Sequence, residues 1–510
     1  MSAPPHSLPA GAYMLAASSP HKGWNEGDQL MHRITALVSS LALLVGLFVY
    51  APQSVQAVDP VYIGPGGGSG ACAAPLYETD GSADQIEFQS AVNDQDGDID
   101  NVLYVCPGTY DMDGEVTLDG ALTIAGVSGA ASPILDASES EDRILYASNA
   151  LIITGLTFQN AETDGNGAAI YAVGDIVVQN SIFLNNHSFR KGGAIYSVNN
   201  LSAITGSTFA GNGSVVRGGA IYSEIGIDLV DDSTFSDNTT GMGGGAIFIW
   251  QNIADANLDG QSGIIDSTFS GNEAGNHGGG VAISGDFPST AVIVGNEFSD
   301  NVANADANGN GHGGAVWVDD DMNGTVSRNA FTGNRAVDGG ALYAEESDDE
   351  MNGTISYNSF VSNVATDDGG ALYVGDINEF GVITRNQFKN NTAGGDGGGA
   401  WIDDTGDEES QFAIVTANTF SGNRAVGNGG GMYVSWTDTS RAPSEMTRNT
   451  FSRNRAGGIG GGIAIMGLDG CVELTTREAV RVFGRNRFSG NRAQGSRQTA
   501  SVGAVPPCQD

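Results

Sequence analysis

A right-handed parallel β-helix of about a dozen coils is the all-β fold that this 510-residue sequence predicts, on three observations. The pattern Asn/Ser-x-Phe-x-x-Asn recurs from Phe183/Asn186 through Phe209/Asn212, Phe235/Asn238 and Phe269/Asn272 to Phe488/Asn491, at spacings from about 26 residues to the mid-thirties. A glycine pair follows most of these asparagines at a near-constant distance and leads into a short apolar strand, as in Gly192-Gly193-Ala194-Ile195-Tyr196 and Gly218-Gly219-Ala220-Ile221-Tyr222. Glycine is abundant, 76 residues against 14 prolines, without the G-X-Y period of collagen, so the chain carries turns on a schedule.

A strand of four to six residues followed by a turn cannot bury an apolar face alone. Each coil must therefore stack on its neighbours at the sheet spacing of about 4.8 Å. Stacking turns equivalent positions into columns. The phenylalanines are expected to form an interior aromatic column, with the motif asparagines in turns, bonding backbone groups and tolerating left-handed backbone. The glycine pair is expected to supply positive φ and close approach between coils.

In chain order, residues 1–57 read as an N-terminal extension and signal peptide. Met31-His32-Arg33, the apolar run 34–50 and Val55-Gln56-Ala57 are the three parts of a secretory signal, with cleavage expected after Ala57; an uncleaved signal anchor is the alternative. Export makes the four cysteines readable as two disulfides, Cys72 with Cys106 and Cys471 with Cys508, which tie down the two ends of the mature chain. Residues 58–150 read as an N-terminal cap and first coils, with a short helix over 84–92 closing the open end of the apolar core. Residues 151–466 are the repeats, and 467–510 are a last coil and the opposite cap.

The net charge of -39 excludes nucleic acid as a partner, because a polyanion gains nothing by approaching another. An acidic polysaccharide would need calcium or a basic patch.

The paired F-x-x-N and G-G-A-[I/L/V] motifs, over roughly residues 160–495, resemble those of the chlamydial polymorphic outer membrane proteins. The resemblance implies a β-helix displayed at a surface and involved in adhesion. In that family a C-terminal β-barrel translocates the repeats. No such barrel is expected here, since no long series of alternating strands follows Phe488 and the sequence ends Pro506-Pro507-Cys508-Gln509-Asp510.

One parity of the Gly-Gly strand is aliphatic (Ile195, Ile221, Ile247, Val281, Val316, Leu342, Leu372, Met432, Ile463) and should face inward. The other carries Tyr171, Tyr196, Tyr222, Phe248, Trp317, Tyr343, Tyr373, Trp401 and Tyr433 and should form an exposed stripe. Such a stripe reads either as a ligand track, since aromatic faces stack on sugars and on partner proteins, or as a ladder stabilised by its own stacking.

Acidic loops show the spacing D-x-[DN]-x-[DN]-G, which gathers oxygen ligands around a sharp glycine turn. They are Asp255-x-Asn257-x-Asp259-Gly260, Asp306-x-Asn308-x-Asn310-Gly311 and Asp319-x-Asp321-x-Asn323-Gly324. Only the first has a twelfth-position carboxylate, so calcium, the one cofactor suggested, is expected at Asp255, Asn257, Asp259 and Asp266. Ordinary Asp/Asn/Gly turns are the competing reading.

Many enzymes resembling this architecture act on pectin-like polymers, and the hydrolases among them order Asp, Asp-Asp, Gly-His-Gly and Arg-x-Lys. Here Gly311-His312-Gly313 precedes Asp319-Asp320 and no Arg-x-Lys follows. His277 and His312 therefore read as turn residues. Arg335, Arg424 and Arg455 read as repeat positions paired to the acidic surface. The functional expectation is a secreted or cell-surface, non-catalytic adhesion scaffold whose partner is a host or neighbouring cell surface or extracellular carbohydrate. The alternatives are a polysaccharide lyase or hydrolase and a calcium-dependent structural matrix protein.

Overall fold

The structure, a computed structural model, describes residues 61–65, 70–73, 75–79, 84–95, 101–129, 131–253, 262–285, 291–306, 309–319, 322–344, 353–375, 381–404, 414–436, 445–467 and 485–494. The signal segment, Cys471 and Cys508 lie outside the described residues.

A parallel β-helix results, and one coil shows how it is made. The chain passes through sheet 1 at Ile176–Gln179, sheet 2 at Ile182–Leu184, sheet 3 at His187–Ser188 and sheet 4 at Ile195–Ser197. It then re-enters sheet 1 at Asn200–Thr205. Repetition builds sheets of 17, 14, 12 and 13 strands. Landmarks pair with landmarks: Phe183 with Phe209, Phe209 with Phe235, and Tyr196 with Tyr222.

The phenylalanine column is the core's spine. From Phe158 to Phe451 the rings are fully buried, and successive centroids lie 4.5–5.0 Å apart at interplanar angles of 1–13°. The strand spacing dictates this near-parallel stack. Ile195, Ile221, Ile247, Val281, Val316, Leu342, Leu372 and Met432 share that interior, as expected of the inward parity, and Ile463 packs against it.

The motif asparagines are buried and bonded on both sides. Asn212 Nδ2 donates to Phe183 O in the coil before and to Asn238 Oδ1 in the coil after, while Asn212 Oδ1 accepts the N–H and Nδ2 of Asn186. The expected left-handed residue is one place earlier than predicted. Positive φ falls on Asn185, Gly211, Asp237, Gly271 and Asp300, immediately before the motif asparagine.

The glycine pair divides its labour. Gly192 has φ +65°, and a Cβ there would meet Ile195 O at 2.2 Å. A Cβ on Gly193 would meet Gly219 O of the next coil at 2.0 Å.

At the N-terminal end the expected helix is Asp84–Gln95, with Phe88, Ala91 and Val92 buried in the same core. Phe88 meets Tyr110 edge-on at 6.3 Å. The Cys72–Cys106 disulfide is formed, with Cα atoms 5.8 Å apart.

A second polar ladder lines the corner from sheet 1 to sheet 2, formed by the first residue of the Asn/Ser-x-Phe-x-x-Asn pattern. It consists of Ser181, Ser207, Ser233 and Ser267, then Asn296, Asn329, Asn358, Asn386, Asn418, Asn449 and Asn486, all buried.

Candidate functional site

The outer face of sheet 4, together with the turn that enters it, brings aromatic and titratable side chains together. Tyr196, Tyr222, Phe248, Ala282, Trp317 and Tyr343 form a hydrophobic cluster distinct from the interior core. The outward parity is therefore as predicted, but the exposure is not. Tyr196, Tyr222, Phe248, Trp317 and Tyr343 are only 1–6% exposed, and Tyr171, Tyr373, Trp401 and Tyr433 are half-buried.

Two layers of contact cover the rings. Coil-to-coil stacking covers their faces, at 5.0 Å for Tyr171–Tyr196, 5.4 Å for Tyr196–Tyr222 and Tyr222–Phe248, and 4.2 Å for Tyr373–Trp401. The residue just before the glycine pair then reaches the aromatic of the following coil. Lys191 Nζ lies 4.2 Å from the Tyr222 ring, Arg217 lies 4.7 Å from Phe248, His277 stacks on Trp317 at 4.6 Å and His312 on Tyr343 at 4.5 Å. Ala282 leaves the gap in the aromatic column beside which His277 sits.

Read along the solenoid, this turn column runs Lys191, Arg217, Gly243, His277, His312, Asp338, Asp368, Asp396, Asn428. Neighbours pair as parallel bridges, Lys191 with Arg217, His277 with His312 and His312 with Asp338.

Burial sets the chemistry of the column. It lowers the Lys191 ammonium, helped by Arg217 and opposed by Glu224, and Lys191 Nζ donates to Tyr222 Oη at 2.9 Å. It raises the Tyr222 phenol to about 12. Tyr196 is raised further still by burial and by its hydrogen bond to Glu224. Burial, reinforced by His312 7° from parallel to it, lowers His277 to about 4, so its imidazole is neutral near pH 7. His312 Nδ1 approaches Asp338 Oδ2 at 3.3 Å, an ion-pair distance without hydrogen-bond geometry.

Beyond Asp338 the column becomes a carboxylate ladder. Asp338 Oδ1 accepts the Asp368 N–H at 2.9 Å, Asp368 Oδ1 accepts the Asp396 N–H at 2.6 Å, and Asp396 accepts from Asn428. Burial, with Asp367, Asp396 and Asp338 nearby, raises Asp368 to about 6 despite the bond to Asp396. The arrangement places a neutral imidazole, a second imidazole facing a carboxylate, and a row of carboxylates of which Asp368 is raised, in one line.

Of the expected calcium ligands, Asp255, Asn257 and Asp259 lie outside the described residues. Asp266 is an exposed corner residue at φ +43°. Asp306 closes its own turn, Oδ1 accepting the Asn310 N–H at 3.0 Å. Among the described residues no group of three or more His, Cys, Asp or Glu is arranged to hold a metal ion.

The arginines stand at equivalent repeat positions, as expected. The ion pairs among the described residues are Arg143–Glu115 and His312–Asp338, and neither involves Arg335, Arg424 or Arg455. Arg424 instead pairs in register with Arg455, because equivalent positions of adjacent coils must lie side by side. The motif search missed the turn column as a unit. Its signal was visible: a titratable residue stands directly before the glycine pair in seven coils.

The family model for the Chlamydia polymorphic membrane protein (Chlamydia_PMP) repeat matches residues 180–198, 206–224 and 232–249. Three successive coils thus carry that repeat. No curated protein matches the chain. Among solved structures, it is similar to a mannuronic acid specific polysaccharide family 6 lyase from human gut microbiota, at 11% identity and TM-score 0.30 over 79% of this chain and 85% of that one. It is also similar to a PL6 alginate lyase in complex with trisaccharide, at 14% identity and TM-score 0.34 over 84% and 89%. A third is the A-module of the Azotobacter vinelandii mannuronan C-5 epimerase AlgE6, at 12% identity and TM-score 0.23 over 82% and 97%. Likeness of this order says nothing about chemistry. Among the described residues no helix is long and apolar enough to cross a membrane, which leaves β-barrels unaddressed.

Proposed function

We propose that this chain, three of whose coils carry the polymorphic membrane protein repeat, is a secreted or cell-surface β-helix acting as a non-catalytic adhesion or ligand-binding scaffold. The observation that carries the reading is the turnover of polar and aromatic groups within the columns. The buried asparagines bond to one another coil by coil, and the rings of sheet 4 stack on their own neighbours. Repeat positions therefore build the frame, which leaves recognition to exposed groups such as Trp250 and the accessible edges of Tyr373, Trp401 and Tyr433. The partner class is a host or neighbouring cell surface or extracellular carbohydrate. Binding of purified protein to cells and to a glycan panel tests it, and absence of binding to both removes the reading.

One observation favours the lyase alternative. His312 Nδ1 lies 3.3 Å from Asp338 Oδ2 and its ring stacks on Tyr343, so a partly accessible imidazole sits beside a carboxylate and a buried tyrosine ring. An assay on polygalacturonate and alginate with calcium, following unsaturated product by absorbance, separates the two. Activity abolished by His312→Ala would establish the enzyme. Calcium binding at Asp255, Asn257, Asp259 and Asp266 rests on sequence spacing, and calorimetric titration with calcium checks it.

A further inference from the structure

Charge is distributed along this molecule in a way that its net value of -39 conceals. Eleven of the 21 lysines and arginines, but only six of the 60 acidic residues, lie at or beyond Arg424. The structure sorts them further, by column. At the corner between sheets 1 and 2 the left-handed position holds Asp232 and Asp266 in the earlier coils and Arg328, Arg385, Arg448 and Arg485 in the later ones. The first position of sheet 3 holds Glu162 and Glu273 early, then Arg335, Arg424, Arg455 and Arg492. At the next corner Asp237 and Asp300 give way to Arg453, and on sheet 2 Glu297 gives way to Arg487 in one column and Asp136 to Lys389 in another. Apart from the half-covered Asp136, these charges are exposed. The turn column before the glycine pair runs the opposite way, from Lys191 and Arg217 to Asp338, Asp368 and Asp396.

Backbone conformation adds an independent argument. Arg328, Arg385, Arg448 and Arg485 have φ of +57 to +68°, where other coils place Gly155, Asn180 or Gly206. A side chain such as arginine costs on the order of 1 kcal/mol in that region, and Gly and Asn cost less. Four costly residues in one column, and Arg424, Arg455 and Arg492 side by side without an ion pair among the described residues, lower the stability of the isolated chain. An acidic partner outside the chain would offset that cost, beyond the one contact that the chain itself supplies, Arg385 against the ring and hydroxyl of Tyr357.

We infer that the face formed by sheets 2 and 3 and their flanking corners is an isologous self-association surface, on which a second copy of this chain docks antiparallel. A two-fold axis lying in the plane of that face and perpendicular to the solenoid axis, near the change of sign between Asp300 and Arg328, sets the acidic coils of one copy against the arginine coils of its partner. Parallel docking would set like against like. Because the net charges of two copies repel, association is strongest where salt screens the long-range field but not the contacts. That condition holds near 0.15 M, where the Debye length is about 8 Å, and fails toward about 1 M, where it is about 3 Å.

Sedimentation velocity of the purified protein across this salt range tests the inference, together with two exposed triple variants. One is Arg424→Glu/Arg455→Glu/Arg492→Glu and the other Asp232→Arg/Asp266→Arg/Glu273→Arg; circular dichroism verifies that both fold. A dimer is expected near 0.15 M that dissociates toward 1 M. Each triple variant alone should weaken it by tenfold or more, on the order expected for several like-charge contacts, and mixing the two variants should restore it. A monomer at every salt concentration overturns the inference, as does a dimer indifferent to both variants. So does an arginine triple that loses binding to polygalacturonate while its self-association is unchanged, which would assign the face to a polyanion.

Discussion

The corner between sheets 1 and 2 is serine in the earlier coils and asparagine in the later ones, and the two ladders hold the solenoid differently. Ser207 Oγ accepts the Ser181 N–H from the coil before at 3.1 Å and donates to Thr205 O in its own coil at 2.9 Å. Asn358 accepts the N–H and Nδ2 of Asn329 and donates to Val326 O behind it and to Asn386 Oδ1 ahead. A hydroxyl thus ties two coils, and an amide, with one acceptor and two donors, clamps three. The same later coils hold the strained arginines, so the stronger clamp stands where the corner is costlier.

Breaking the comparison is a matter of single substitutions. The largest effect is expected for Asn358→Ala, which orphans a buried N–H, an amide donor and a carbonyl. About 2–4 kcal/mol of local stability should be lost, read as faster hydrogen exchange in the coils either side. Asn238→Ala and Asn334→Ala should cost about 2–3 kcal/mol each and equally, because their ladder is asparagine throughout; unequal costs would mean that the halves differ for reasons other than the corner. Ser207→Ala should cost about 1 kcal/mol.

Acid sharpens the contrast by sign. His277 has a depressed pKa, so the fold binds fewer protons than the unfolded chain. Stability from the middle coils is present above about 6.5 and is lost as pH falls toward about 4. Asp368 has a raised pKa, so its coil loses stability as pH rises from the ordinary carboxylate value of 3.8 through about 6. Exchange followed coil by coil between pH 4 and about 6.5 should show the two responses in opposite directions. His277→Gln should remove the first and spare the second. The smallest change expected is a gain of up to about 1 kcal/mol from Arg385→Gly, which relieves the left-handed arginine. Asp266→Gly should gain less, because aspartate tolerates that conformation.

The phenylalanine column, the inward aliphatic set, the N-terminal helix and the Cys72–Cys106 pair were legible because each is local pattern repeated at equal chemistry. Tyr222 was legible as to side and not as to exposure. Alternation along a strand decides which face a residue takes, but what lies over that face depends on Lys191, 31 residues away in the preceding coil. The serine-to-asparagine corner was legible as the first position of the Asn/Ser-x-Phe-x-x-Asn pattern, but its bonding was not, because which coils a hydroxyl or an amide ties depends on how the coils superpose.

By itself the sequence determined the coil, because period, strand parity and turn chemistry act within about thirty residues and are restated a dozen times. Only the tertiary structure decided which side chains become neighbours across coils. Variable loops shift sequence spacing, from 26 residues between Asn212 and Asn238 to 34 between Asn238 and Asn272, while the stacked strands remain one sheet spacing apart. That constancy puts Arg455 beside Arg424 and Asp368 beside Asp338, and with them the charge pattern that the later coils present.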